Sequence, residues 1–162
     1  MIVVSDTSVI SALLSIDKLE LLSQLYGKVI IPQVVWDELE RLRAFGYDLS
    51  PLENTQWLEI IDPKDKELET RLNEVLDKGE SAAIALSKEV NPNFLAIDEK
   101  KGREIAQSMG IPIIGVIGIL IVAKKQAIVK EVKPLLDSLI SEAGFRISRK
   151  LDEYILTEIS EV

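Results

Sequence analysis

The sequence contains no cysteine, which excludes disulfides, thiolate nucleophiles and thiolate metal sites. It contains no histidine either, and this removes the commonest general base and the commonest ligand for zinc. Chemistry in this chain must therefore run on carboxylates, hydroxyls, lysine, arginine or backbone groups. A metal held by such a set is a hard cation bound through oxygen: Mg²⁺, Mn²⁺ or Ca²⁺. Long hydrophobic runs are also missing. The most apolar stretch, residues 111–123, is broken by Pro112, Gly115 and Gly118 and is too short to span a bilayer. No basic region or signal-peptide core precedes Ile2-Val3-Val4-Ser5-Asp6, so the expectation is a cytoplasmic protein with no membrane partner.

What is present is an aliphatic chain of one-domain size. Its 162 residues are 47% apolar but only 5% aromatic, enough for one sizeable core built from Leu, Ile, Val and Ala. That apolar fraction argues against disorder. The net charge of −8 is not the usual footprint of a nucleic-acid binder. A carboxylate-rich metal site would supply part of it, and a basic partner could bind the remainder.

Short aliphatic runs alternate with helical patterns, which predicts an α/β domain around a parallel sheet. Strands are expected at residues 2–5, 29–31, 94–97 and 113–114, with an edge strand at 57–61. Between them, Val9, Ile10, Leu13 and Leu14 recur at helical spacing. Leu19, Leu22 and Leu25 mark a short helix that Gly27 ends. Pro32 sits where a first helical residue should be, before a face of Val34, Val35, Leu39 and Leu42. Residues 43–53 read as a loop, 65–76 as a polar helix, and Gly79-Glu80-Ser81 as the start of an alanine-rich helix. Residues 103–109, 116–125 and 132–143 complete the helical set. The tail differs: residues 145–148 look extended, and Leu151, Ile155 and Ile159 form one face of a final helix.

Two acids stand in equivalent places. Asp6 follows the first strand and Asp98 follows the strand at 94–97. In open parallel sheets, ligands bind in the crevice outside the carboxyl ends of the strands. A helix N-cap is the plainer role for either acid alone. Glu38 lies inside the apolar stripe of its own helix, where a glutamate is rare unless paired; an ion pair with Arg or Lys is the alternative. Glu80 opens a helix whose dipole favours an acid there, yet Ala83, Ile84 and Ser87 put it on the packed face. Ala82, Ala83 and Ala85 would let that helix approach the sheet closely. Gathered carboxylates repel, which raises their pKa values, and a divalent cation reverses that cost. Such an ion, or a pair of ions, polarises a phosphoryl oxygen and activates water. Ser8 could cap a helix or steady the centre, and Lys100, Lys101 and Arg103 could meet phosphate or simply face solvent. Arg41 and Arg43 are equally open.

The ordered set of motifs resembles the PIN-domain family, in particular its VapC-like prokaryotic ribonuclease branch of toxin type. The matching pieces are Val4-Ser5-Asp6-Thr7-Ser8, residues 31–39 around Pro32 and Glu38, Gly79-Glu80-Ser81-Ala82-Ala83-Ile84, residues 95–103 around Asp98, and residues 110–118. The resemblance implies a three-layer α/β/α fold with a central parallel sheet. It implies metal-dependent cleavage of RNA, with Asp6, Glu38, Glu80 and Asp98 as catalytic residues and as ligands of Mg²⁺ or Mn²⁺. Ser8, Glu99 and Arg103 are auxiliary candidates. It further implies a homodimer and, as for many toxins of this type, a small antitoxin protein as partner. Val116 stands where related sequences often carry Thr or Ser, and Glu99 beside Asp98 leaves two acids competing for one position. The expected organisation is a nuclease domain at 1–143 and a C-terminal extension at 144–162, a strand plus a helix serving dimerisation or partner binding. Two other readings are an aspartyl-nucleophile phosphatase, which wants an Asp where this chain has Ser8, and a non-catalytic interaction domain.

Overall fold

The computed structural model describes residues 1–159; residues 160–162, the end of the expected C-terminal extension, lie outside the described residues. Five short strands form the sheet: β1 (Ile2–Ser5), β2 (Lys28–Ile31), β3 (Leu58–Ile60), β4 (Phe94–Ala96) and β5 (Ile113–Ile114). Their spatial order is β3-β2-β1-β4-β5, and every pairing is parallel, with Val4 opposite Ile30 on one side and Leu95 on the other. The chain starts in the middle of the sheet, moves outward through β2 and β3, then returns to the other side of β1. The switch point of this topology lies between β1 and β4, where a ligand crevice opens at the carboxyl edge.

Strand alternation sorts the side chains into two cores. Val3, Val29, Ile31, Ala96 and Ile114 belong to one, and Val4, Ile30, Leu95 and Ile97 to the other. Both faces are covered by helices, which is why the strands read as continuous aliphatic runs. Onto the first face pack α1 (Thr7–Ser15), α2 (Glu20–Tyr26), α3 (Gln33–Arg41), α7 (Val116–Lys125), α8 (Lys133–Glu142) and α9 (Arg149–Glu158). Onto the second pack α4 (Lys66–Leu72), α5 (Lys78–Val90) and α6 (Lys100–Ser108). This is the expected three-layer α/β/α architecture. Each fully buried Leu, Ile or Val in these layers contributes roughly 2 kcal/mol of burial free energy.

Several boundaries differ from the sequence reading. Pro32 is the N-cap of α3, with extended backbone (ψ 159°), and the helix begins at Gln33. The polar helix α4 closes at Leu72 instead of residue 76, because Glu74 and Val75 bond back to the carbonyls three residues before them, tightening the chain out of α geometry. Helix α6 starts at Lys100, three residues earlier than expected, because Glu99 caps it by accepting from the Lys101 amide. Residues 145–148 form no strand. That short polar-apolar alternation pairs with none of the five strands and instead connects α8 to α9, with Phe145 and Ile147 packed on the first core. Ile155, Leu156 and Ile159 are buried in that same core.

Candidate active site

The carboxyl edge of the sheet opens into a cleft of about 520 Å³. Asp6, Glu38, Glu80 and Asp98 all line it, together with Asp77 and Glu99, and none of the lining residues is basic. Four chain segments contribute the acids, namely the β1–α1 junction, α3, the start of α5 and the β4–α6 junction, and Phe145 adds a fifth piece of wall from the segment after α8. The four acids expected from sequence thus share one cavity, although they are far apart along the chain.

Asp6 is 2% exposed. It is indeed a helix cap, accepting from the Val9 amide at 3.1 Å, and the Ser8 hydroxyl donates to both its carboxylate oxygens at 3.1 and 3.3 Å. Its amide donates to Ala96 O at 3.1 Å, which ties the end of β1 to β4. Burial outweighs the hydrogen bonds, and with Asp98 and Asp77 nearby the carboxyl is raised from 3.8 to about 7. The cap role leaves the acid part of the cleft wall.

Glu38 is half-buried and accepts from the Thr7 hydroxyl at 2.8 Å. Among the described residues it makes no ion pair; Arg43 is engaged by Glu40 and Glu53 instead. A Cβ on Gly79 would overlap Glu38 Oε1 and sit 3.3 Å from Thr7 Oγ1. The glycine therefore lets the first turn of α5 lie directly against this carboxylate.

Glu80 is 6% exposed, and its Oε2 atom is buried without a hydrogen-bond partner. Burial first, then Asp77, Asp6 and Glu99, raise this carboxyl from 4.5 to about 8. Its amide donates to Asp77 Oδ1 at 2.8 Å, the N-cap bond of α5. A Cβ on Gly102 would meet Glu80 Oε2 and Ile97 Cδ1, each at 2.7 Å, so α6 comes as close to this acid as a glycine permits. The alanines of α5 behave as expected, with Ala82, Ala83 and Ala85 buried against the sheet.

Asp98 does not cap its own helix. It accepts from the Val116 amide at 3.3 Å through each oxygen, at the start of α7. Burial raises the Asp98 carboxyl, against the Val116 amide and the Arg103 guanidinium, which lower it. Arg103 donates to Ile97 O at 2.9 Å, so it is held at the end of β4. Gly115 makes room for both: a Cβ there would overlap Asp98 Oδ1 and lie 2.9 Å from Arg103 Nη1. Of the two adjacent acids, Asp98 is half-buried and Glu99 exposed.

Sequence reasoning missed Asp77, Thr7 and the three glycines. Asp77 could have been found: Asp77-Lys78-Gly79-Glu80 has the spacing of a capping box. The glycines could not, because their role is a close approach set by tertiary packing.

The donor set is all oxygen, which suits Mg²⁺ or Mn²⁺. Among the described residues no three acids already converge on one point as ligands, as expected of carboxylates that repel one another. An orphaned Glu80 oxygen and two carboxyls raised towards neutrality are nonetheless the environment a divalent cation relieves. No helix among the described residues is long and apolar enough to cross a membrane. In comparisons with known proteins, a family model described as PIN domain matches residues 2–161. None of the curated proteins matches the chain.

Proposed function

The chain belongs to the PIN-domain family, a nuclease-type fold, and on that premise we propose that it is a divalent-metal-dependent ribonuclease that hydrolyses RNA phosphodiester bonds. The observation that carries the reading is the cleft at the topological switch point, which collects Asp6, Glu38, Glu80 and Asp98 and has no basic residue in its lining. A pure ion-pair network would place Arg or Lys among them.

In this reading the four acids hold Mg²⁺ or Mn²⁺. When bound, the cation neutralises the cluster and polarises a phosphoryl oxygen. The chain's own groups fix the acids. Ser8 and the Val9 amide orient Asp6. Thr7 orients Glu38, and the Val116 amide orients Asp98. Gly79, Gly102 and Gly115 allow the helices to close on the carboxylates. Such supporting contacts hold a site to the geometry the reaction needs. The attacking water forms a bond to phosphorus and gives up one proton to solvent, the ester P–O bond breaks, and the departing oxygen takes up one proton from solvent, leaving a phosphate monoester and a hydroxyl.

We extend the proposal to a toxin role, with a homodimer and a small antitoxin protein as partner. The acidic surface, with a sequence pI near 4.7, suits a basic partner. The direct test is incubation with single-stranded RNA. Cleavage is expected with Mn²⁺, lost in EDTA, restored by added Mn²⁺, and absent in Asp6→Asn. Full activity in EDTA, or in a folded Asp6→Asn variant, overturns the proposal.

A further inference from the structure

An acidic protein with a carboxylate-lined cleft repels the polymer it is proposed to cut, so binding needs a positively charged rail outside the metal site. The C-terminal connector supplies the chemistry for one. Between Ala143 and Leu151 the sequence is Gly144-Phe145-Arg146-Ile147-Ser148-Arg149-Lys150, in which every charge is positive. Arg146, Arg149 and Lys150 are exposed. Arg149 reaches Glu153 at 3.3 Å on the surface of α9; Arg146 and Lys150 make no ion pair among the described residues.

The connector also runs along the site. Phe145 is part of the wall of the cleft that holds the four acids. Leu151 lines a second cleft, about 440 Å³, which shares Asp98 with the first and includes Arg103. The chain from Phe145 to Leu151 therefore bridges two cavities that meet at Asp98. It is pinned at both ends: the Phe145 amide donates to Leu139 O at 3.0 Å, and Ser148 caps α9 by accepting from the Leu151 amide at 3.1 Å. Beyond it, Ile155, Leu156 and Ile159 anchor α9 in the core. A connector fixed this way leaves its backbone little ordering to do on binding.

We infer that the 145–150 segment, the connector together with the first two residues of α9, is a substrate arm for single-stranded RNA, with Phe145 stacking on an unpaired base at the mouth of the cleft and Arg146 and Lys150 taking the flanking phosphates. The inference rests on the nuclease reading above. An aromatic face beside spaced cations is the usual means of holding single strands without reading their sequence.

The test uses the full chain carrying Asp6→Asn and a fluorescein-labelled oligouridylate of about 15 nucleotides, ample for one small domain, followed by anisotropy. Phe145→Ala and Phe145→Leu are expected to weaken binding about tenfold, whereas Phe145→Trp keeps it. Phe145→Leu retains the bulk packed on the core, and thermal melting confirms that it folds. The exposed pair Arg146→Gln with Lys150→Gln is expected to reduce the slope of log Kd against log salt by about 1.4, for two phosphates at about 0.7 each. With the natural Asp6, the same changes raise KM and leave kcat nearly unmoved. Cleavage by the unaltered chain, with affinity and salt slope untouched by these substitutions, overturns the arm alone. Absence of both cleavage and binding in the unaltered chain overturns the nuclease reading and the arm with it.

Discussion

Replacing Glu80 by glutamine gives a sharp physical test, because the effect depends on pH in a window that ordinary carboxylates do not reach. Burial and neighbouring carboxylates raise the Glu80 carboxyl from 4.5 to about 8 in the folded chain. The folded state therefore binds this proton more tightly than the unfolded state. Stability from Glu80 is fully present below about pH 4.5 and is lost as pH rises through about 8. The gap between 4.5 and about 8, at about 1.36 kcal/mol per pH unit, amounts to as much as about 5 kcal/mol. Asp6, raised to about 7 by burial, acts in the same direction, and because the two acids repel each other their contributions do not simply add. At roughly 2–4 °C per kcal/mol for a chain of this size, metal-free protein should lose on the order of 10 °C in Tm between pH 5 and 8. No histidine is present to produce that slope by an ordinary titration. Glu80→Gln removes the ionisable proton while keeping the shape. In EDTA the variant should match the parent near pH 5 to within about 1 kcal/mol and exceed it by a few kcal/mol at pH 8. Saturating Mn²⁺ should flatten the parent's slope, because the cation binds the ionised form. Thermal or urea unfolding followed by circular dichroism across this range reads all three. A parent whose stability in EDTA is flat from pH 5 to 8, or a variant with the parent's slope, would refute the reasoning.

Asp6→Asn should reduce Mn²⁺-dependent RNA cleavage by about a thousandfold or more, while chemical denaturation shows a loss under about 1 kcal/mol, since Asn caps a helix as well as Asp. Gly102→Ala forces a methyl against Glu80 Oε2 and Ile97 Cδ1, and urea unfolding should report a cost of about 1–3 kcal/mol together with weakened Mn²⁺ binding by calorimetry. Asp77→Asn preserves the N-cap bond to the Glu80 amide but removes a charge that raises both Asp6 and Glu80. Its pH-dependent loss of stability should be shallower than the parent's, and its Mn²⁺ affinity about tenfold lower by calorimetry.

The strands and the acids at their ends were legible in the sequence because each signal is local. Aliphatic runs such as residues 2–5 and 94–97 have to be buried on both faces, and an acid just past such a run stands out. Glu38 was legible for a different reason: a carboxylate inside an apolar stripe conflicts with its own helix pattern unless something in the fold answers it. The answer proved to be Thr7, not an arginine, and nothing local encodes a hydroxyl donor thirty-one residues away. Gly79 was read as a helix start and Gly115 as a break in an apolar run, whereas these two and Gly102 each mark where a helix presses on a carboxylate. That information resides in tertiary distance alone. The tail misled because residues 145–148 alternate like a strand, but a strand also needs a partner, and this segment pairs with none of the five strands and links two helices instead.

Crystals soaked in Mn²⁺ and measured for anomalous scattering test the central claim most directly. The expected result is a peak inside the cleft bordered by Asp6, Glu38, Glu80 and Asp98, with carboxylate oxygens drawn in to about 2.0–2.3 Å and the remaining positions filled by water. A cleft without anomalous density at saturating Mn²⁺, with Glu80 Oε2 still unpartnered, would contradict it.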